Sequence, residues 1–475
     1  MKFSFVNPAP SADTPSMVTS AWPPLGMLYI AGILMREGIE VSILDQAIRN
    51  VSIEQAINWV KKENPDLVGF SVCGSSAREA FKVAEAVKKE MPDITVVLGN
   101  YHATFNAERI LKKYPSVDVI VRGEGEYTSL DLVKCLEKKH PLKEVDGITF
   151  RNNGEIVSTP DRPLIKNIDE LPFPDRRLMN AEYTSLIHGI RTATKRFTTV
   201  VSSRGCPFQC TFCGCRKFAR GVWRPRSVEN IMKELEYLKS KGYEQFLFVD
   251  DNFTLNTKRV VKLCRVMRKE KLNMEWFCDS RVDHVSYDLF SEMVKAGCKI
   301  LYFGIESGNQ RILNYYKKGI TPDQSRSAVK KARKAGMDVI VGSFIVGAPD
   351  ETRKEVENTL RFAHELDIDV PQLNVLGAFT GTDLWREVVS KGWINEETMW
   401  ETGAYVANIS PYAVPFEELR TMIFEYFKSF YLRSELLTKE ILRTLTSSYR
   451  FSALINNVAR FNEIVENVQR GIRLD

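Results

Sequence analysis

Strand-like and helix-like segments alternate along the first third of this 475-residue chain, and this alternation limits the possible folds more than any other feature. Short apolar runs such as Leu67 to Val72 and Ile94 to Leu98 have the length of buried strands, and the amphipathic segment Ala77 to Lys89 lies between them. Repeated β-α-β units with continuously apolar strands predict a parallel sheet with helices on both faces. We therefore predict an α/β protein whose first domain, residues 1–150, contains a doubly wound sheet.

The length and composition exclude several classes of protein. A chain of this size is expected to form more than one hydrophobic core. It is 44% hydrophobic and 27% charged, and its net charge of +6 is too small to indicate a nucleic-acid partner. No apolar run reaches the ~18 residues that a membrane span needs, and the first residues lack the long apolar stretch of a secretory signal. These features predict a cytoplasmic protein.

Small and polar residues follow the predicted strands of the first domain. They form four loops, around Asp45, Ser71, the segment Gly99 to Thr104 and the segment Arg122 to Glu126. Ligands of parallel sheets bind at these strand ends, and small residues let a large planar ligand approach the backbone. Glycine and serine are also ordinary turn formers. Four such loops at one edge nevertheless favour a ligand site.

A proline-rich segment separates the first domain from the rest of the chain. Four prolines between Pro160 and Pro174 prevent a helix there, so residues 151–192 are predicted to be an extended linker. Residues 193–385 again alternate strand-like and helical segments, which predicts a second α/β domain. Residues 386–475 are mostly helical in pattern.

Four of the nine cysteines lie within ten residues, on a loop that follows the strand-like segment Thr198 to Ser202. Cys206, Cys210 and Cys213 have the spacing Cys-x3-Cys-x2-Cys, which allows three thiolates to bind one metal cluster. A zinc site normally takes four ligands, often as two separated Cys-x2-Cys pairs, and no second pair is present. A four-cysteine cluster would need a further ligand. Cys215 lies too close to Cys213 to supply it, so one iron of a [4Fe–4S] cube would stay open.

With the aromatic Phe212 before Cys213, this loop resembles the Cys-x3-Cys-x-aromatic-Cys signature of the radical SAM superfamily. The resemblance implies that S-adenosylmethionine (SAM) binds the open iron of the [4Fe–4S] cluster. Reductive cleavage of SAM then gives a 5′-deoxyadenosyl radical, with electrons from a partner such as ferredoxin or flavodoxin. Such enzymes modify carbons that acid–base groups cannot activate, and the cofactor supplies that chemistry.

Further residues match the family in order. Asp250 and Asp251 follow a strand and are candidate catalytic groups near the SAM amino group, although they could equally be helix caps. The resemblance implies that SAM is also contacted by Arg281, Glu306, Ser307, Phe212 and Ile345. Six strands with intervening helices predict a partial (βα)6 barrel for residues 193–385.

The first domain resembles the cobalamin-binding domain of B12-dependent radical SAM enzymes, through Asn7-Pro8, Leu44-Asp45, Gly99-x-x-His102-x-Thr104 and Gly123-Glu124-Gly125-Glu126. The implied fold is Rossmann-like. The implied cobalamin contacts are Asp45, Ser71, Gly99, His102, Thr104, Gly123 and Glu124. The loop after Asp45 has Ala47 and no histidine, so cobalt takes no histidine ligand from it. Asn100 departs from the family, which commonly has glycine there.

The C-terminal region carries an aromatic stripe at helical spacing, formed by Tyr426, Phe427, Phe430 and Tyr431. Such a stripe is usually core, here of helices covering the barrel. It could also form a lid over an apolar substrate or touch a membrane surface. We expect a cobalamin-dependent radical SAM enzyme that methylates or joins unactivated carbons of a hydrophobic substrate such as an isoprenoid lipid. Tetrapyrrole cyclisation or methylation is one alternative, and a non-catalytic cobalamin- or redox-binding protein is another.

Overall fold

A computed structural model describes residues 1–11, 22–179, 181–187 and 189–458, with only the backbone for residues 435–437. Two large sheets organise these residues, one of seven strands and one of six. The predicted α/β class is therefore confirmed. No helix among the described residues has the length and apolar character that would let it cross a membrane.

The first sheet has the strand order β2-β1-β3-β4-β5-β6-β7. Its strands are β1 (Lys2–Asn7), β2 (Glu40–Asp45), β3 (Leu67–Ser71), β4 (Thr95–Gly99), β5 (Val119–Val121), β6 (Ile148–Asn152) and β7 (Glu155–Ser158). Strands β1 to β5 are parallel, and the β6–β7 hairpin adds two antiparallel strands at one edge. The sheet therefore continues beyond the domain boundary predicted at residue 150.

Helices cover both faces of this sheet, as a doubly wound fold requires. They are α1 (Leu25–Arg36), α2 (Ile53–Glu63), α3 (Ala77–Glu90), α4 (Asn100–Phe105), α5 (Ala107–Lys113) and α6 (Glu126–Glu137). One face buries Phe3 and Phe5 with α1 and α6, and the other buries Val6 and Val68 with α2, α3 and α5. Because β1 lies between β2 and β3, the winding reverses there, which opens a ligand crevice at the carboxyl ends of the strands.

The linker is ordered by packing and contains little regular structure. It has two short turns of 3-10 helix, Ile168–Glu170 and Arg176–Met179, and a small hairpin of β8 (Leu186–Ile187) and β9 (Ile190–Arg191). Arg176 donates to Glu234, whose buried carboxylate also pairs with Arg226. This ion pair attaches the linker to the second domain.

The second sheet contains six parallel strands in sequence order, which confirms the predicted partial barrel. They are β10 (Phe197–Val200), β13 (Gln245–Phe248), β14 (Glu275–Ser280), β15 (Cys298–Glu306), β16 (Val339–Val346) and β17 (Val370–Val375), with a short β11–β12 pair (Ser203–Arg204, Arg224–Pro225) beside the cysteine loop. The helices of this domain are α7 (Cys215–Phe218), α8 (Val228–Ser240), α9 (Thr257–Lys269), α10 (Tyr287–Lys295), α11 (Gln310–Tyr315), α12 (Pro322–Lys334) and α13 (Arg353–Glu365).

Side chains alternate along the barrel strands between an outer and an inner face. Phe248, Cys278 and Phe344 face outward, in the core that the strands share with the helices. Phe277 and Ile300 face inward and belong to a different buried cluster. The amino-terminal half of the barrel is therefore filled with apolar side chains.

The C-terminal region wraps both domains. Its elements are α14 (Asp383–Ser390), α15 (Glu396–Met399), α16 (Val406–Ile409), α17 (Phe416–Tyr431), α18 (Ser434–Thr446) and α19 (Ser448–Val458), with a β18–β19 pair (Gly377–Ala378, Ala404–Tyr405). Trp385 and Trp400 pack into the core of the first domain, and α17 packs on α13. The sequence from Ile441 to Ile464 also has amphipathic helical spacing; it lies in α18 and α19 as far as Val458, and its last residues lie outside the described part.

The aromatic stripe of α17 does not reach the mouth of the barrel. Tyr426 and Phe430 are buried against His364 of α13, on the outer surface of the barrel. Further on, Tyr449 of α19 packs on Phe277, and its hydroxyl donates to the carbonyl of Thr192, just before β10. The C-terminal helices therefore cover the side and the amino-terminal end of the barrel. The stripe is therefore core, as is usual for such a pattern, and the alternative of a lid over the substrate is not supported; helical periodicity identified the apolar face without identifying its partner.

Candidate active site

Two carboxylates at the end of β13 fix the loop that carries the cysteines. Asp250 is buried and accepts hydrogen bonds from the Ser202 amide (2.7 Å), the Ser202 hydroxyl (2.6 Å) and the Ser203 hydroxyl (2.5 Å). Burial raises the pKa of Asp250, which these three donors oppose. Its carboxylate is thus engaged with the strand that leads into the loop.

Asp251 acts one step further along the same loop. Its Oδ2 accepts the amide hydrogen of Gly205, at 2.9 Å. Gly205 has φ +87°, and a Cβ there would lie 2.2 Å from the carbonyl oxygen of Val222. Only glycine fits this turn, so Gly205 and Asp251 together set the direction in which the loop leaves β11.

The three thiols of the motif are partly exposed and lie near one another, whereas Cys215 is buried. The Cys215 thiol donates a hydrogen bond to Cys213, and mainly for this reason the pKa of Cys213 falls to about 7. In the described residues, no three acidic, cysteine or histidine side chains converge on a site for a single metal ion. A [4Fe–4S] cluster does not need its ligands to converge on one point, because each thiolate binds a separate iron. Three accessible neighbouring thiols therefore suit such a cluster.

Positive charge lies beside Cys210. Burial raises the pKa of this thiol, and the nearby Lys318 and Arg281 oppose that rise. The Lys318 ammonium pairs with Glu306 at 2.6 Å, and the Arg281 guanidinium pairs with Asp283 at 2.8 Å. These residues, from the segment after β14, from β15 and from the segment after α11, provide charges near the loop that suit an anionic cluster and an amino acid. Lys318 was not among the predicted site residues.

Three other residues predicted to contact SAM have identified surroundings in the protein. The hydroxyl of Ser307 is buried against Thr359 at 3.0 Å. Phe212 meets Tyr316 edge to face, and Ile345 is partly buried on the inner side of β16. Their contacts with SAM stay predictions.

The strand ends of the first domain form a second polar group. Asn100, with φ +81°, donates to the hydroxyl of Ser71 (2.9 Å) and to the thiol of Cys73 (3.2 Å). The Thr104 hydroxyl donates to the carbonyl of Asn100 and accepts the amide of Gly123 at 3.1 Å. These bonds join the loops after β3, β4 and β5 into one edge.

Two predicted cobalamin contacts have protein partners of their own. The carboxylate of Asp45 accepts the hydroxyl of Tyr183 at 3.0 Å. His102 is buried, its ring stacks on Trp400 of the C-terminal region, and burial lowers its pKa to about 4. Because a neutral ring in an aromatic contact explains the burial of His102, its role in binding cobalamin stays a prediction.

Glu124 connects the strand ends of the first domain to the cysteine loop of the second. Its carboxylate pairs with Arg204 (3.0 Å) and Arg224 (2.8 Å), and Glu126 pairs with Arg204 at 2.6 Å. Burial opposes ionisation of Glu124, but these arginines outweigh it and hold its pKa below the usual value. Arg204 lies two residues before Cys206. The loop after β5 is therefore attached directly to the cysteine loop, a link that no local sequence pattern revealed.

Tyr101 also connects the first domain to the cysteine loop. Its ring stacks on Phe218, which follows the cysteine loop, with centroids 4.1 Å apart. Burial raises the pKa of Tyr101, with smaller contributions from Asp251 and the nearby thiols, including Cys73. In the sequence, only its position next to His102 could have indicated that Tyr101 belongs to the site.

The thiol geometry predicts different effects for the four clustered cysteines. Replacing Cys206, Cys210 or Cys213 by alanine should abolish binding of the cluster, because each removes one of three iron ligands. Cys215→Ala should retain it, since this buried thiol lies next to Cys213 and Asp251 and is not one of the three partly exposed thiols. Iron, labile sulfide and 5′-deoxyadenosine formed with dithionite should be measured after anaerobic reconstitution. Loss of the cluster in Cys215→Ala would contradict the assignment.

Two family models match the chain. The B12 binding domain matches residues 16–133, and the Radical SAM superfamily model matches residues 200–363. An uncharacterised methyltransferase of Pyrococcus horikoshii is 36% identical over 93% of this chain and 95% of its own length. The anaerobic magnesium-protoporphyrin IX monomethyl ester cyclase of Cereibacter sphaeroides is 30% identical, over 92% of this chain and 71% of its own.

The fold also matches a solved structure. The cobalamin-dependent SAM radical enzyme OxsB, with aqua-cobalamin and SAM bound, superposes with a TM-score of 0.72 at 20% identity, covering 96% of this chain and 72% of that one. Glu124 lies in the range that matches the B12 binding domain, and Arg204 lies in the range that matches the Radical SAM model. The chain therefore belongs to the cobalamin-binding radical SAM enzyme family.

Proposed function

We propose that the protein is a C-methyltransferase that replaces a C–H bond of its substrate by a C–CH3 bond. The observation that supports this most strongly is the ion-pair network of Glu124, Glu126, Arg204 and Arg224, which attaches the cobalamin-binding edge to the cysteine loop. A methyl-carrying cofactor and a radical-generating cofactor must meet at one substrate carbon. A short, buried connection between their two binding loops provides such an arrangement.

The cofactors of the family are a [4Fe–4S] cluster, SAM and cobalamin, which together supply radical formation and a transferable methyl group. The chain itself contributes position and charge. Asp250 and Asp251 hold the cysteine loop, while Lys318 and Arg281 place positive charge next to Cys210. The loops joined by Asn100 and Thr104 provide small side chains beside the ligand crevice.

The reaction balances with two molecules of SAM and two electrons. One SAM takes one electron and the substrate hydrogen, and leaves as methionine and 5′-deoxyadenosine. The other supplies the methyl group and leaves as S-adenosylhomocysteine. Bound cobalamin would supply the methyl-carrying centre, and a one-electron donor of the ferredoxin or flavodoxin type would provide both electrons.

Ring closure is the second candidate, because the Cereibacter sphaeroides relative is named a cyclase and is 30% identical over most of both chains. A cyclase joins two atoms of its substrate and transfers no methyl group. The two reactions therefore give products of different mass from the same cofactors.

The reconstituted enzyme should therefore transfer label from methyl-labelled SAM to a product of cell extract, with 5′-deoxyadenosine and S-adenosylhomocysteine in equal amounts. Mass spectrometry should show a gain of one methylene unit, because CH3 replaces H. The triple Cys206→Ala, Cys210→Ala, Cys213→Ala variant is the control and should form neither nucleoside product. A product that has lost hydrogen and gained no label would instead establish cyclisation.

The hydrophobic substrate and the membrane contact predicted from the sequence have support outside the barrel. Large apolar side chains of α18 and α19 are exposed, with Leu445 72% and Ile455 55% accessible, and Leu442, Leu454 and Val458 are exposed beside them. Exposed apolar patches of this kind are typical of surfaces that bind proteins or membranes. We infer that this face brings the enzyme to a lipid surface, where an isoprenoid lipid could be its substrate.

The wild-type protein should sediment with phosphatidylglycerol vesicles, and Leu445→Glu with Ile455→Glu should reduce the bound fraction several-fold, because charge disfavours contact with lipid. The matched control is Lys269→Glu at the end of α9, where the side chain is 82% exposed. Equal binding of all three proteins would exclude this face as the membrane contact.

Lipid and pigment extracts of cells with and without the gene should differ in the lipids.

A further inference from the structure

The upper half of the barrel is polar on its inner face. Strand register places Asp279 of β14 beside Tyr302 of β15, and Ser343 of β16 beside Gln372 of β17. All four side chains are at least partly accessible, whereas the outward-facing residues between them, such as Cys278 and Phe303, are fully buried. Alternation along each strand therefore directs these polar side chains into an open lumen above the apolar floor of Phe277 and Ile300.

Asp279 differs from the other carboxylates near the cysteine loop. Asp250, Asp251 and Glu306 each accept a hydrogen bond or pair with a cation. No described residue donates to the carboxylate of Asp279 or pairs with it. Although its side chain is exposed to solvent, desolvation by the surrounding barrel, with the charges of Asp250 and Asp251, raises its pKa to about 7.

A carboxylate that faces the lumen with no protein donor or cation beside it can pair with a ligand that supplies a positive charge. The two positive side chains beside Cys210 are already engaged, since Lys318 pairs with Glu306 and Arg281 with Asp283. The lumen therefore presents an unmatched negative group beside neutral hydrogen-bonding side chains. Among polar substrate groups, this lining suits a cationic nitrogen better than an anion, and a lipid substrate would carry that nitrogen on its head group.

We propose that Asp279, with Tyr302 beside it, binds a positively charged nitrogen of the substrate, an amine, amidine or guanidine group, within the barrel. This inference rests on the proposed radical function and identifies the part of the substrate that enters the lumen. The charged contact fixes the orientation of the neighbouring carbon from which hydrogen is removed. Ser343 and Gln372, on the next two strands of the same sheet, can supply neutral hydrogen bonds.

The test uses the fully reconstituted enzyme and an extract of cells that carry the gene, separated by ion exchange into cationic, neutral and anionic pools. The readout is the increase in 5′-deoxyadenosine formation that each pool causes, with methyl label followed separately. The cationic pool should cause the increase. Asp279→Asn should raise the concentration of that pool needed for half the effect by about ten- to a hundredfold, the value of a charge-assisted hydrogen bond.

Two further variants distinguish loss of the negative charge from damage to the fold. Asp279→Glu keeps the carboxylate and should recover part of the response, and Asp323→Asn, whose side chain is 91% exposed, should match the wild type. An increase caused by the anionic or neutral pool, or an undiminished response in Asp279→Asn, would overturn the proposal. An increase with the cationic pool but no label in the product would support it while contradicting methyl transfer.

Discussion

The buried ion-pair network between the loop after β5 and the cysteine loop is the interaction on which the arrangement of the site depends. Glu124, Glu126, Arg204 and Arg224 have side chains that are 5–17% exposed. Exposed ion pairs contribute about 0–1 kcal/mol, but loss of one partner from a buried pair costs about 3–5 kcal/mol. Removing any one of these charges would therefore leave its partners buried and unpaired, and should disturb the relative position of the two sheets.

Other contacts reinforce the same junction. Tyr101 stacks on Phe218 just after the cysteine loop, and His102 stacks on Trp400 of the C-terminal region. Asp250 and Asp251 fix the loop from the barrel side. Together these contacts hold the cysteine loop between the strand ends of the two sheets, so the two ligand-binding edges face each other.

The sequence predicted what is encoded locally. The spacing of Cys206, Cys210 and Cys213 lies within one loop, and the strand and helix periods of both sheets are visible in short windows. Contacts between distant residues left no such pattern, since Glu124 and Arg224 are 100 residues apart. Lys318 and Asp279 were missed for the same reason, because their importance comes from neighbours on other strands. The aromatic stripe of α17 was recognised as apolar, but its partner, His364 of α13, could not be inferred from periodicity.

If the Glu124–Arg204 network sets the separation of the two cofactors, breaking it should change that separation. Pulsed electron paramagnetic resonance can measure the distance between cob(II)alamin and the reduced cluster in the reconstituted enzyme. One narrow distance is expected in the wild type and in the surface variant Arg265→Met, whose side chain is 69% exposed. Arg204→Met should give a broad or shifted distribution. An unchanged narrow distance in Arg204→Met would contradict the account.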